Sequence, residues 1–114
     1  MSKQPTNTIS RAWAGGRSAS NHGGNLTVGS GIARSYNVII GLLLVRENAC
    51  ENKRVCFDLR GKRSISQTTS RHVAEIAKGS DEVIPGIREL TDLIAAGWRL
   101  PGDLTVREIE TSWR

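Results

Sequence analysis

The side chains that could do acid–base, nucleophilic or metal chemistry are few in this 114-residue chain. His22 and His72 are its only histidines, and Cys50 and Cys56 its only thiols. Compact zinc sites draw Cys and His in closely spaced pairs, whereas these four are spread over an arm, a hairpin and a helix, so neither a metal site nor a cofactor is expected. The densest group of hydroxyls is Ser66-Gln67-Thr68-Thr69-Ser70-Arg71-His72. It leads into apolar residues at helical spacing, and a helix start presents free N–H groups that attract an anion. Arg71 would add a bidentate contact, which makes Thr69, Ser70, Arg71 and His72 a candidate anion site. The plainer reading is that the hydroxyls cap the helix and His72 packs on its first turn. A Ser–His nucleophile also needs a carboxylate to orient the imidazole; Asp58 is the only one nearby on the expected sheet, and no spacing makes that pairing. The glycine pairs follow no strand and open no helix, so no phosphate loop or dinucleotide fingerprint is present. An enzyme is not expected.

Basic residues are the stronger signal. Residues 1–71 hold eleven Lys and Arg against three acidic residues, and residues 72–114 hold five against eight. The formal charge of +5 therefore hides a basic front and an acidic back, able to meet an anionic partner with one face. Lys53, Arg54, Arg60, Lys62 and Arg63 lie around two successive turns, with Arg46 and Arg71 close in sequence. On one rim they would contact phosphates or an acidic protein surface; alternatively they solvate a sheet edge and discourage edge pairing. Trp13, flanked by Arg11 and Arg17, either folds onto the core or serves as a contact anchor.

Periodicity supplies the elements that must hold these residues. Val38 to Val45 is almost continuously apolar, the mark of a strand covered on both faces, with Gly41 signalling a bulge or close packing. Arg54 to Leu59 reads as a second strand, Ser64-Ile65-Ser66 as a third, and Leu26 with Val28 as a short edge strand, which makes an antiparallel meander. Thr69 or Ser70 would cap a helix with Val73, Ile76 and Ala77 on one face; Ile87, Leu90 and Ile94 stripe a second, introduced by Pro85. Thr105 and Glu108 have capping-box spacing ahead of Ile109 and Trp113. The expected fold is α+β, a small antiparallel meander of three or four strands packed against two or three short helices. Residues 32–114 form that single domain. Seventeen of residues 1–31 are Gly, Ser, Thr or Asn, so that segment is expected to be a flexible or loop-like arm.

Apolar residues are 38% and aromatics 4% of the chain, enough for one modest core. No apolar run nears the roughly 20 residues of a membrane span, and no secretory signal is visible, so a cytoplasmic location is expected. Cys50 and Cys56 flank a polar turn, where a disulfide is geometrically feasible; a reduced compartment favours two separate thiols.

Ser35-Tyr36-Asn37-Val38-Ile39-Ile40-Gly41, a hairpin, and then Ser64 to His72 resemble a pattern of small phage and mobile-element accessory proteins of unknown function. In these a Ser-Tyr pair opens an apolar strand, and a Ser/Thr-rich segment ends in Ser-Arg-His before a helix. The likeness spans residues 35–76 and departs from the pattern in the Glu47–Asn52 turn, in Gly41 and in the long arm. It brings no catalytic residues. It implies provenance, a virus-derived accessory protein of the kind that includes anti-CRISPR inhibitors of bacterial defence. The leading expectation is therefore a non-enzymatic, anti-CRISPR-like inhibitor of a host defence complex in the bacterial cytoplasm, with Trp13 and the basic residues carrying the contacts. A small nucleic-acid-binding or regulatory protein and a small anionic-ligand binder are the alternatives.

Overall fold

A computed structural model describes residues 2–46, 50–60 and 65–114. They form seven strands, β1 (Ser2–Gln4), β2 (Ala19–Asn21), β3 (Leu26–Gly29), β4 (Ile32–Ser35), β5 (Val38–Arg46), β6 (Glu51–Phe57) and β7 (Glu82–Ile84). Four α-helices accompany them: α1 (Ile9–Ala14), α2 (Gln67–Lys78), α3 (Ile87–Ala95) and α4 (Val106–Ser112). The strands lie side by side in chain order. β2 to β6 is an antiparallel meander, and a parallel strand is added at each end, β1 on β2 and β7 on β6.

Parallel neighbours need a crossover, and α1 and α2 supply the two. β2 and β6 run in the same direction and both crossovers step the same way across the sheet, so a common right-handed connection puts both helices on one face. There they are bonded together. Ser10 N donates to Glu75 Oε2 at 2.9 Å, and Trp13 Nε1 donates to Ser80 Oγ at 2.9 Å.

Residues 2–31, expected as an arm, instead supply three strands and a helix, and Ile9, Ala12, Trp13, Ala19, Leu26 and Val28 are all buried. Their apolar residues are sparse and singly spaced, which reads as disorder. Each one is nevertheless placed on the inner face, and a fully buried Leu, Ile or Val contributes about 1.5–3 kcal/mol. The expected three or four strands thus become a seven-stranded mixed sheet. Ile65 and Ser66 lie outside any strand, and Ser66 rather than Thr69 or Ser70 caps α2, its Oγ accepting from Thr69 N at 3.0 Å.

Side-chain alternation divides the two faces. Gly41 pairs with Cys56, and both look toward α2: Cys56 Sγ donates to Val73 O at 3.5 Å. A Cβ on Gly41 would lie 3.0 Å from Ile76 Cγ2, 3.1 Å from Ala33 Cβ and 3.2 Å from Trp13 Cζ2, so the close packing expected there is real. A bulge accompanies it, since Ala33 pairs with Gly41 and Arg34 with Ile39. Phe57, next along β6, faces the other way and meets Trp113 edge-on at 4.9 Å. α4 is tied to that side, with Trp113 Nε1 donating to Ile39 O at 2.7 Å and Ile39 N donating to Ser112 Oγ at 3.0 Å.

Candidate anion-binding cleft

At the hydroxyl-rich start of α2, Thr69 and His72 form a buried tie to Ser35 of the sheet. Ser35, at the end of β4, places Oγ 2.6 Å from His72 Nδ1 and 2.9 Å from Thr69 Oγ1, and Ser66 Oγ donates to Thr69 Oγ1 at 3.1 Å. Ser35, Thr69 and His72 are all buried, and burial lowers the His72 pKa below its ordinary value. Glu75, one turn along, offers His72 no carboxylate: its oxygens accept from Ser10 N and Lys78 Nζ. Burial would raise the Glu75 pKa, but those donors outweigh it and hold the carboxyl below its usual range. Of the four residues of the expected anion site, only Arg71 points fully outward and Ser70 is half-buried. The tie escapes a local reading because Ser35 comes from 34 and 37 residues away.

Among the described residues, the expected basic side chains do not gather on one rim. Arg46 and Lys53 lie over the Trp98 ring at 4.5 and 5.2 Å, on the α4 side, and pair with Glu51 and Glu82 at 3.0 and 3.2 Å. Arg60 pairs with Asp58 at 2.9 Å, which raises its pKa. Arg54 lies on the opposite face, alternating with Lys53 along β6. Arg71 projects from α2 near the far end of the sheet. Lys62 and Arg63 lie outside the described residues. Trp13, expected either as core or as contact, is 3% exposed and belongs to the core.

A different arrangement does bring basic groups together. At the end of the sheet where β3 turns into β4, a cleft of ≈ 40 Å³ is lined by Trp13, Gly16, Arg17, Gly31, Leu43 and Arg54 among others. Local sequence explains each wall. α1 ends in a Schellman motif: Gly16 N donates to Trp13 O at 3.2 Å and Arg17 N to Ala12 O at 2.9 Å, with Gly16 at φ 72°. That turn throws Arg17 outward. Ser30 (φ 53°) and Gly31 (φ 77°) form a two-residue hairpin between paired Gly29 and Ile32, the left-handed pattern that suits strand twist. Arg54 stands opposite Leu43 on β6, and its backbone is clamped by Asp81, which accepts from Arg54 N at 2.8 Å and donates from its own N to Arg54 O at 2.7 Å.

Both guanidinium groups rest on the Gly15–Gly16 turn. Arg54 Nη2 lies 3.1 Å from where a Cβ on Gly16 would be, and Arg17 Nη1 lies 3.4 Å from the equivalent point on Gly15. Neither guanidinium has a hydrogen bond or ion pair among the described residues. Two guanidinium groups lining one cleft without a counter-ion favour an incoming anion. Sequence reasoning placed Arg54 among the site residues but passed over Arg17; the Gly15-Gly16-Arg17 helix-stop signal was the clue available. Among the described residues no group of three or more His, Cys, Asp or Glu could hold a metal ion. Cys50 and Cys56 are not joined as a disulfide, and burial pushes the Cys56 thiol up to about 12. Comparison of the chain with family models, with curated proteins and with solved structures returned no match.

Proposed function

We propose that this chain is a non-enzymatic binding protein that docks on an acidic surface of a protein partner with the end of the sheet carrying Arg17 and Arg54. The observation behind this reading is the pair of guanidinium groups set on one turn with no carboxylate between them. Arg is favoured at binding hot spots because its planar fork makes two directed, charge-assisted bonds to one carboxylate.

Two features favour an acidic protein over nucleic acid. Arg46, Lys53 and Arg60 are already engaged by Glu51, Glu82 and Asp58, which leaves them less available to a phosphate backbone. Among the described residues no exposed ring beside the cleft offers a stacking platform: Trp13 is buried, and Tyr36, 55% exposed, sits at the opposite end of β4. The resemblance to phage accessory proteins adds the kind of partner, a host defence complex such as a CRISPR effector, inhibited by occupation of a site. The test is capture from nuclease-treated bacterial lysate on immobilised protein, with an Arg17→Glu/Arg54→Glu variant beside it. One stoichiometric protein partner, lost with the variant, is the expected result. Retention by the variant, or recovery of nucleic acid alone from untreated lysate, overturns the reading.

A further inference from the structure

We propose that the Arg17–Arg54 cleft is a built site for one tetrahedral oxyanion of the phosphate class, whether the free ion or a phosphomonoester. This goes beyond docking, because it concerns what the cleft holds when no partner is present. One guanidinium fork already makes two bonds to the two oxygens of a carboxylate. Two forks entering one cleft from separate elements, the turn after α1 and strand β6, match an anion with three or four equivalent oxygens and two negative charges. The volume agrees. At ≈ 40 Å³ the cleft has room for about three water-sized groups, the scale of a single phosphate group.

The walls are suited to the task. Trp13 and Leu43 provide apolar sides, which lower the local dielectric and strengthen the charge interaction. Ser30 brings a hydroxyl to the same lining. Gly16 keeps the floor open: it has positive φ, and a Cβ there would come within 3.1 Å of Arg54 Nη2.

The test is titration of the full chain with sodium phosphate at constant ionic strength in chloride buffer, read by melting temperature and by the Arg Nε–H NMR signals. A saturable rise in melting temperature is expected, with the Arg17 and Arg54 signals moving together. Acetate at equal concentration should bind at least about tenfold more weakly, and Arg17→Gln or Arg54→Gln should each weaken phosphate by about tenfold or more. Far-UV circular dichroism of these surface variants should match the parent, and Arg71→Gln should leave phosphate binding unchanged. Phenyl phosphate binding as tightly as phosphate identifies an esterified ligand; phosphate alone identifies the free ion, and either supports the site. An equal phosphate response in the Arg17→Gln/Arg54→Gln double variant, its loss in Arg71→Gln, or acetate binding as well as phosphate overturns it. These readouts need no partner, so a failure of lysate capture bears on docking and leaves the oxyanion site standing.

Discussion

A serine oxygen 2.6 Å from an imidazole nitrogen is the geometry of an activated nucleophile, yet Ser35 and His72 act here as a structural tie. Burial decides the matter. Both are sealed between β4 and α2, and no carboxylate orients the ring, so no substrate atom reaches the pair. What burial does produce is a pH dependence. The His72 pKa is lowered on folding by desolvation, so below its ordinary value near 6.5 the unfolded chain binds the proton more readily than the folded one. The stabilising contribution of neutral His72 is therefore fully present above about pH 6.5 and lost as pH falls through the lower folded value. Urea midpoints taken from pH 8 to pH 5 should fall, and His72→Gln should flatten that fall. Work above pH 5 separates this from Glu75, whose carboxyl is held down and whose stabilising share is lost only at lower pH. Ser35→Ala leaves His72 Nδ1 and Thr69 Oγ1 short of a partner and should cost about 1–3 kcal/mol, measured by the same denaturation. At this scale the hydroxyl cluster was legible in the sequence. Its destination was not, because the deciding hydroxyl arrives from another strand.

Elements were legible in proportion to how much local chemistry marks them. Thr105 and Glu108 form the full capping box at the start of α4, with Thr105 Oγ1 accepting from Glu108 N at 3.2 Å, as their spacing implied. The apolar run of β5 and the stripe of α2 were equally plain. The three-residue strands β1, β2 and β7 were not, since strands that short contain too few side chains to display alternation and exist only because a long neighbour templates them. Helix α1 has six residues and draws its stability from Ile9, Ala12 and Trp13 pressing on the sheet. Gly41 is where the sheet meets α1 and α2 closely. Replacing it with Ala would push a methyl group among Ile76, Ala33 and Trp13, with the nearest atom 3.0 Å away. Overpacking of this kind costs about 1–3 kcal/mol. Gly41→Ala should lower the denaturation midpoint accordingly, with an unchanged m-value; a midpoint equal to the parent would show that α1 and α2 stand off the sheet more loosely.

Over the whole molecule, the sheet redistributes a charge that looks like one basic patch in the sequence. Arg46 and Lys53 turn toward Trp98, Arg54 turns toward α1, Arg71 stands near the far end, and Arg17 joins Arg54 from a segment far away in the chain. Side-chain alternation along β6 does most of this, sending neighbours in sequence to opposite faces. The consequence for nucleic acid is quantitative. Binding that neutralises Z phosphates of duplex DNA weakens with salt at a log–log slope of about −0.9Z. Seven cations on one rim would give a slope of about −6, whereas the single pair at the cleft gives about −2. Titration of a fluorescent duplex between 50 and 200 mM salt should return the shallow slope and weak affinity, and Arg17→Gln/Arg54→Gln should remove most of what binding there is. A slope steeper than about −4 would mean that the dispersed cations converge on the duplex after all, and would favour a nucleic-acid partner over an acidic protein one.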